Sequence, residues 1–173
     1  WKYLQQRGYV SRHRKPFSDI ELPKTLKPKQ PREAYTDAEI ALILDHLQLK
    51  QDKVLTAITT LAMYTGARIS ELAGLHVDNV VTIDGITCLK IDDAKTKAGN
   101  RAVPIHPEIQ ELVRAQITDS TDGYLVSGVR SKGGKDRRAD VLGKRYGRLV
   151  RNDCQLPPTK VFQCFRNTFV GGN

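Results

Sequence analysis

The sequence predicts an α+β fold, mainly helical, with helices packed around a small three-stranded antiparallel sheet. Three observations predict it. Apolar residues recur at helical spacing from Ile40 to Leu75, the signature of helices with one buried face. Between Val80 and Ile105 the pattern becomes short and β-branched, with an Asp-Gly pair inside it, which signals a tight hairpin. Helical spacing then resumes from Pro107 to about Ile117, and again, after a short extended piece at Tyr124 to Val126 and a basic loop, from Asp140 and from Thr159.

The elements follow in order. Trp1 to about Val10 reads as the tail of a helix stopped near Gly8, a common C-terminal signal. Ser11 to Pro31 carries four prolines among lysines and arginines; proline blocks regular structure, so this is an extended basic linker. Thr36 with Glu39 forms a capping box, and Ile40, Ile43, Leu44 and Leu47 continue it as a helix. A second helix spans roughly Gln51 to Tyr64, is broken by Gly66, and gives way to a short third helix after Arg68 with Leu72 and Leu75 inward. Val80 to Ile83 and Ile86 to Ile91 form a hairpin, and Arg101 to Ile105 returns as a third strand whose Pro104 favours an edge position. His106-Pro107 opens a helix to about Ile117, with proline at its first position. Ser131 to Arg138 reads as a basic loop, Asp140 to about Asp153 as a helix, and Thr159 onward as a last helix bearing Phe162, Phe165, Arg166 and Phe169, its aromatics expected in the core.

The chain has 173 residues and a net charge of +9, enough length for a domain with a real core. The charge is blocked: residues 1–32 carry +7, 33–93 carry −6 and 94–151 carry +7. A basic arm and a basic second half around an acidic block suit a protein that grips a polyanion. No apolar run approaches the roughly 18 residues of a membrane span and no secretory signal core is present, so an intracellular protein is expected. Cys88, Cys154 and Cys164 are too few and scattered for a disulfide framework or zinc site. They read as small buried thiols; no metal and no cofactor is expected.

Two arginines stand out. Arg68 follows a glycine turn in an apolar region, and Arg166 lies on an aromatic helix face. An unpaired buried guanidinium is costly, whereas one facing an anion in a cleft is useful. Local readings remain open: Arg68 paired with Glu71 at i,i+3, Arg166 stacked on aromatics, and Lys95 as an ordinary surface turn lysine.

Three stretches together carry a family resemblance. Thr65-Gly-Ala-Arg-Ile-Ser-Glu-Leu72 resembles the first arginine box of the tyrosine recombinases, the phage-integrase family. Lys95-Thr-Lys-Ala-Gly-Asn-Arg-Ala-Val-Pro-Ile105 resembles that family's catalytic-lysine hairpin. Phe162-Gln-Cys-Phe-Arg-Asn-Thr-Phe169 resembles its second arginine box, usually His-x-x-Arg-His-Thr-Phe. Order and spacing agree, and the linker and capping box resemble the family's join between domains.

The resemblance implies the tyrosine recombinase catalytic-domain fold at residues 33–173, C-terminally incomplete, preceded at 1–32 by the end of a DNA-binding domain and the linker. It implies site-specific recombination, integrating or excising a mobile element, through a 3′-phosphotyrosyl intermediate. On it Arg68 and Arg166 clamp the scissile phosphate, Lys95 (or Lys97) protonates the leaving 5′-oxygen, and Glu71 orients Arg68. Gln163 stands in the usual histidine's place; an amide can donate to a phosphate but cannot shuttle a proton. Arg12, Arg14, Lys15, Lys97, Arg101, Lys132, Lys135, Arg137 and Arg138 are the expected DNA contacts. The expected partner is double-stranded DNA at attachment sites, with a homotetramer for the full-length protein, no membrane, and a cytoplasmic, nucleoid-associated bacterial location.

The family's nucleophilic tyrosine follows the second box at a distance, and the six tyrosines here all precede Arg166. The chain is therefore expected to be an inactive fragment of a longer integrase, or a naturally truncated copy. The alternative function is a catalytically inert DNA-binding relative. A type IB topoisomerase fits the compact spacing less well, and a basic RNA-binding protein lacks the stacking aromatics.

Overall fold

Thr36 begins the first helix of the main body as expected. Its hydroxyl accepts from the Glu39 N–H and the Glu39 carboxylate accepts from the Thr36 N–H, satisfying two orphan donors of the first turn. The computed structural model describes residues 2–11, 32–92, 100–130 and 135–171. The chain divides into two units, 1–30 and 31–173. In the first, helix α1 (Lys2–Gln6) ends before Gly8, whose φ of +73° suits a glycine stop.

In the second unit the order is α2 (Asp37–Lys50), α3 (Lys53–Thr65), α4 (Ile69–Ala73), β1 (Val80–Ile83), β2 (Ile86–Ile91), β3 (Arg101–Pro104), α5 (Gln110–Thr118), α6 (Lys135–Arg148) and α7 (Cys164–Gly171). The three strands form one antiparallel sheet in the order β1-β2-β3. Val80 pairs with Leu89, and Leu89 with Val103. Proline-bearing β3 lies at an edge, as Pro104's missing donor requires. The α+β class expected from the sequence is the one observed.

Helix α3 is the centre of the core. Leu55, Ala57, Ile58, Leu61 and Ala62 are all buried, and α2, α4, α6 and α7 pack around it. Leu89 and Ile91 close the core from the sheet, and Leu142, Tyr146 and Leu149 from the α6 side. The three cysteines are free and buried. No helix among the described residues is long and apolar enough to cross a membrane.

The structure departs from the sequence reading at four places. Helix α6 begins at Lys135, not Asp140, so half of the expected basic loop is helical. It does not run straight to Asp153 but widens into a π-helical turn at Leu149–Asp153. The last helix starts at Cys164 rather than Thr159, because Lys160 and Cys164 donate their N–H groups to Pro157 and Val161 in successive turns. Phe162 and Phe165 are core as expected, but Phe169 is 50% exposed; its ring lies over the backbone of Gly66 instead of entering the core.

Candidate active site

Gly66 caps α3 in the left-handed region, with φ +58°, and its N–H returns to the Ala62 carbonyl. This turn ends one helix and aims Arg68 at the start of the next. Arg68 itself is extended, and its N–H is capped by the Glu71 carboxylate at 2.8 Å. Its guanidinium donates to the same carboxylate at 2.7 Å while remaining 47% exposed. The local pairing of Arg68 with Glu71 is thus real, and it leaves the outer edge of the guanidinium open.

Glu71 also receives Arg101 from β3, through contacts of 2.8 and 3.3 Å. The carboxylate is only 5% exposed. Burial alone would raise its pKa, but the hydrogen bonds from Arg101 and Arg68 outweigh this and hold it at about 2, down from 4.5. Charge-assisted bonds of this kind are the strong ones. Arg101, expected at the DNA, is therefore turned onto Glu71, and it ties the strand after the lysine hairpin to the first arginine box.

Helix α7 meets the Gly66 turn just before Arg68. A Cβ on Gly66 would stand 2.8 Å from the Phe169 ring, so α7 crosses the Gly66 turn without clearance for a side chain. Arg166 lies one turn before Phe169 and is partly buried. Its side chain makes no hydrogen bond or ion pair with any described residue. Gln163, also partly buried, immediately precedes α7, and its carbonyl accepts from the Arg166 N–H at 3.2 Å. The fold thus brings the two arginine boxes together across Gly66 and Phe169. Lys95 and Lys97 fall in 93–99, outside the described residues, between strands β2 and β3.

Among the expected DNA contacts, Arg137 is exposed on α6. Lys135 is the first residue of that helix, and Arg12, Arg14, Lys15 and Lys132 lie outside the described residues. Arg138 is a correction. It is 3% exposed, donates to the carbonyls of Ala73 at 3.0 Å and Val126 at 2.6 Å, and meets Asp122 at 3.4 Å. Its guanidinium sits 3.6 Å over the Tyr124 ring. The loop reading failed because this arginine satisfies the ends of three other segments, so it is a structural pin beneath α4.

The sequence reading passed over a groove of about 660 Å³ that starts beside Arg68, lined by Ile69, Ser70, Asp140, Gly143, Lys144 and Arg151 among others. The spacing of Lys144 on α6 and Arg151 in the π-helical turn that follows it was the available signal. None of the tyrosines is poised as a nucleophile. Tyr35 and Tyr146 bond each other at 2.9 Å, and burial pushes both phenols well up. Tyr124 is covered by Arg138 and His76, Tyr64 packs on His106, and Tyr3 and Tyr9 belong to the first unit.

Comparisons with known proteins bear on this geometry. The model of the phage integrase family matches residues 33–154, which takes in Arg68, Glu71 and the lysine hairpin and stops short of Gln163 and Arg166. Among solved structures, the chain is similar to the Tn1549 transposon integrase in complex with transposon right end DNA, at 23% identity and TM-score 0.64, over 97% of this chain and 62% of that one. The same integrase in complex with circular intermediate DNA matches at 23% identity and TM-score 0.64, over 95% of this chain and 61% of that one. XerA recombinase matches at 18% identity and TM-score 0.57, over 89% of this chain and 55% of that one. The chain thus spans about three-fifths of the length of the integrase structures it matches. A search of curated proteins returned no match.

Proposed function

Because this chain belongs to the phage integrase family, we propose that it is the phosphate-clamping part of a tyrosine recombinase that cuts and rejoins duplex DNA at specific sites. Residues 33–173 form the catalytic domain, and 1–32 form the end of a preceding DNA-binding domain with its basic linker. The observation that supports the reading is the close contact of Gly66 with Phe169, which joins the segment carrying a Glu71-steered, half-exposed Arg68 to the helix carrying Arg166.

In the reaction a tyrosine oxygen attacks the scissile phosphorus, the P–O5′ bond breaks, and a 3′-phosphotyrosyl link stores its energy for rejoining. Negative charge builds on the nonbridging oxygens. Arg68 and Arg166 receive it as bidentate donors, and such preorganised donors are each worth about 3 kcal/mol of barrier. Lys95, with Lys97 as the alternative, protonates the leaving 5′-oxygen. Gln163 donates to a phosphate oxygen without moving a proton. None of the six tyrosines within residues 1–173 takes the nucleophile's role. Arg137 and the basic linker, including Arg12, Arg14 and Lys15, hold flanking phosphates, with Lys132 and Lys135 beside them. The full-length protein works as a homotetramer on attachment sites of a mobile element in the bacterial nucleoid.

In the protein joined to its tyrosine, Arg68→Ala and Arg166→Ala each reduce covalent protein–DNA complex on nicked element-end duplexes by about a hundredfold or more. Duplex affinity falls far less, since other phosphate contacts supply most of it. Normal cleavage by either variant refutes the clamp. The alternative, an inert DNA-binding relative, is favoured by Gln163 alone. Salt-sensitive DNA binding with no covalent complex from the unsubstituted protein would establish it.

A further inference from the structure

The chain that leaves the proline-rich linker does not simply enter α2. Its backbone is stitched to the residues on either side of Arg166. The Arg32 carbonyl accepts from Asn167 Nδ2 at 2.8 Å, and the Ala34 carbonyl from Lys160 Nζ at 2.6 Å. The Tyr35 N–H donates to Thr168 Oγ1 at 2.8 Å and its phenol donates to the Val161 carbonyl at 3.2 Å. The Tyr35 ring lies 4.7 Å from that of Phe165.

Lys160 is 6% exposed and holds both Ala34 and Glu39, the latter at 2.9 Å. A buried ammonium is costly unless fully partnered, and here its partners lie about 120 residues away in sequence. Apolar packing alone would have covered this segment without them. Every one of these bonds ends within six residues of Arg166, and two of them, from Asn167 and Thr168, leave α7 itself.

Resting on the clamp reading above, we propose that Asn167 and Lys160 are positioning residues that fasten the end of the basic linker to the second arginine box and so set Arg166 on its phosphate. The Arg32 carbonyl is held by the residue that directly follows Arg166. The coupling also gives a reason for the asparagine at 167, whose amide donor reaches a backbone carbonyl. The segment Arg32–Tyr35 and the phosphate clamp become one device, so loosening the one misaligns Arg166 in the other.

The test uses the intact 173-residue chain, isotope-labelled, with the Arg166 Nε–H resonance identified by its loss in Arg166→Lys. Inorganic phosphate is titrated at constant ionic strength. The unsubstituted chain shows a saturable shift. Asn167→Ala and Lys160→Met each weaken phosphate about fivefold, the low end for coupled sites, while Arg114→Met, a charge-matched change on α5, leaves the affinity unaltered. For Asn167→Ala the melting temperature stays within about two degrees, as befits an exposed bond in a domain of this size. Equal affinity in Asn167→Ala overturns the coupling and leaves the clamp standing. An effect confined to Lys160→Met and accompanied by loss of the folded spectrum overturns it equally, as the mark of a structural lysine. No saturable shift in the unsubstituted chain overturns the clamp reading, and this inference with it.

Discussion

Replacing Glu71 with glutamine removes the charge that two arginines share while keeping the side chain's shape. The carboxylate accepts from the Arg68 N–H, the Arg68 guanidinium and both terminal nitrogens of Arg101. Moving its pKa from 4.5 to about 2 corresponds to at most about 3.4 kcal/mol, at 1.36 kcal/mol per pH unit. Arg68 is 47% exposed, so water screens its share, and a loss of about 2 kcal/mol at pH 7 is expected. The sign follows from linkage: a carboxyl depressed in the folded state stabilises above its unfolded pKa and stops doing so as pH falls through its folded one. The stability gap between the parent and Glu71→Gln should therefore be full at pH 7, begin to shrink below about pH 4.5 and be nearly gone by about pH 2. Urea unfolding at pH 7, 4 and 2.5 reads it directly. No loss at pH 7, or a gap that stays constant down to pH 2.5, would refute the assignment of Glu71 as a shared anionic strut.

Two further outcomes are expected. Gly66→Ala places a side chain at φ +58° and 2.8 Å from the Phe169 ring, so stability should fall by about 1–2 kcal/mol and the Phe169 ring signals should move; an unchanged unfolding midpoint would count against the close crossing of α7. Arg138→Met should cost about 3 kcal/mol or more in urea unfolding by opening a buried cation site yet leave the salt slope of DNA binding alone, whereas exposed Arg137→Ala should lower that slope by about 0.9 with little change in stability; the opposite pattern would restore Arg138 to the DNA face.

Much of the architecture was legible because it is local. The capping box at Thr36, the Asp84-Gly85 turn, the stop at Gly66 and the edge proline each depend on a few adjacent residues, and all lie where the sequence put them. Arg68 with Glu71 was readable for the same reason, being one helical turn apart. The start of α6 was not. Its glycines and charges look like a loop, and the helix is held there by Arg138 bonding to Ala73 and Val126 on other segments. Phe169 kept helical spacing with two core phenylalanines and still lies outside the core, because α7 crosses α3 at a glycine.

By itself the sequence determined the fold class and the family, through the stretch that holds the first arginine box and the lysine hairpin, and it named candidate groups for holding a phosphate. Those are properties of residue type, order and short spacing. Only the tertiary structure decided how those groups are held: that Arg101 serves Glu71 from 30 residues away, that Arg138 is buried, and that Lys160 and Asn167 reach back to Ala34 and Arg32. A guanidinium or ammonium satisfies itself with whichever carbonyl or carboxylate the fold brings within 3 Å, and no local pattern in the chain specifies that neighbour.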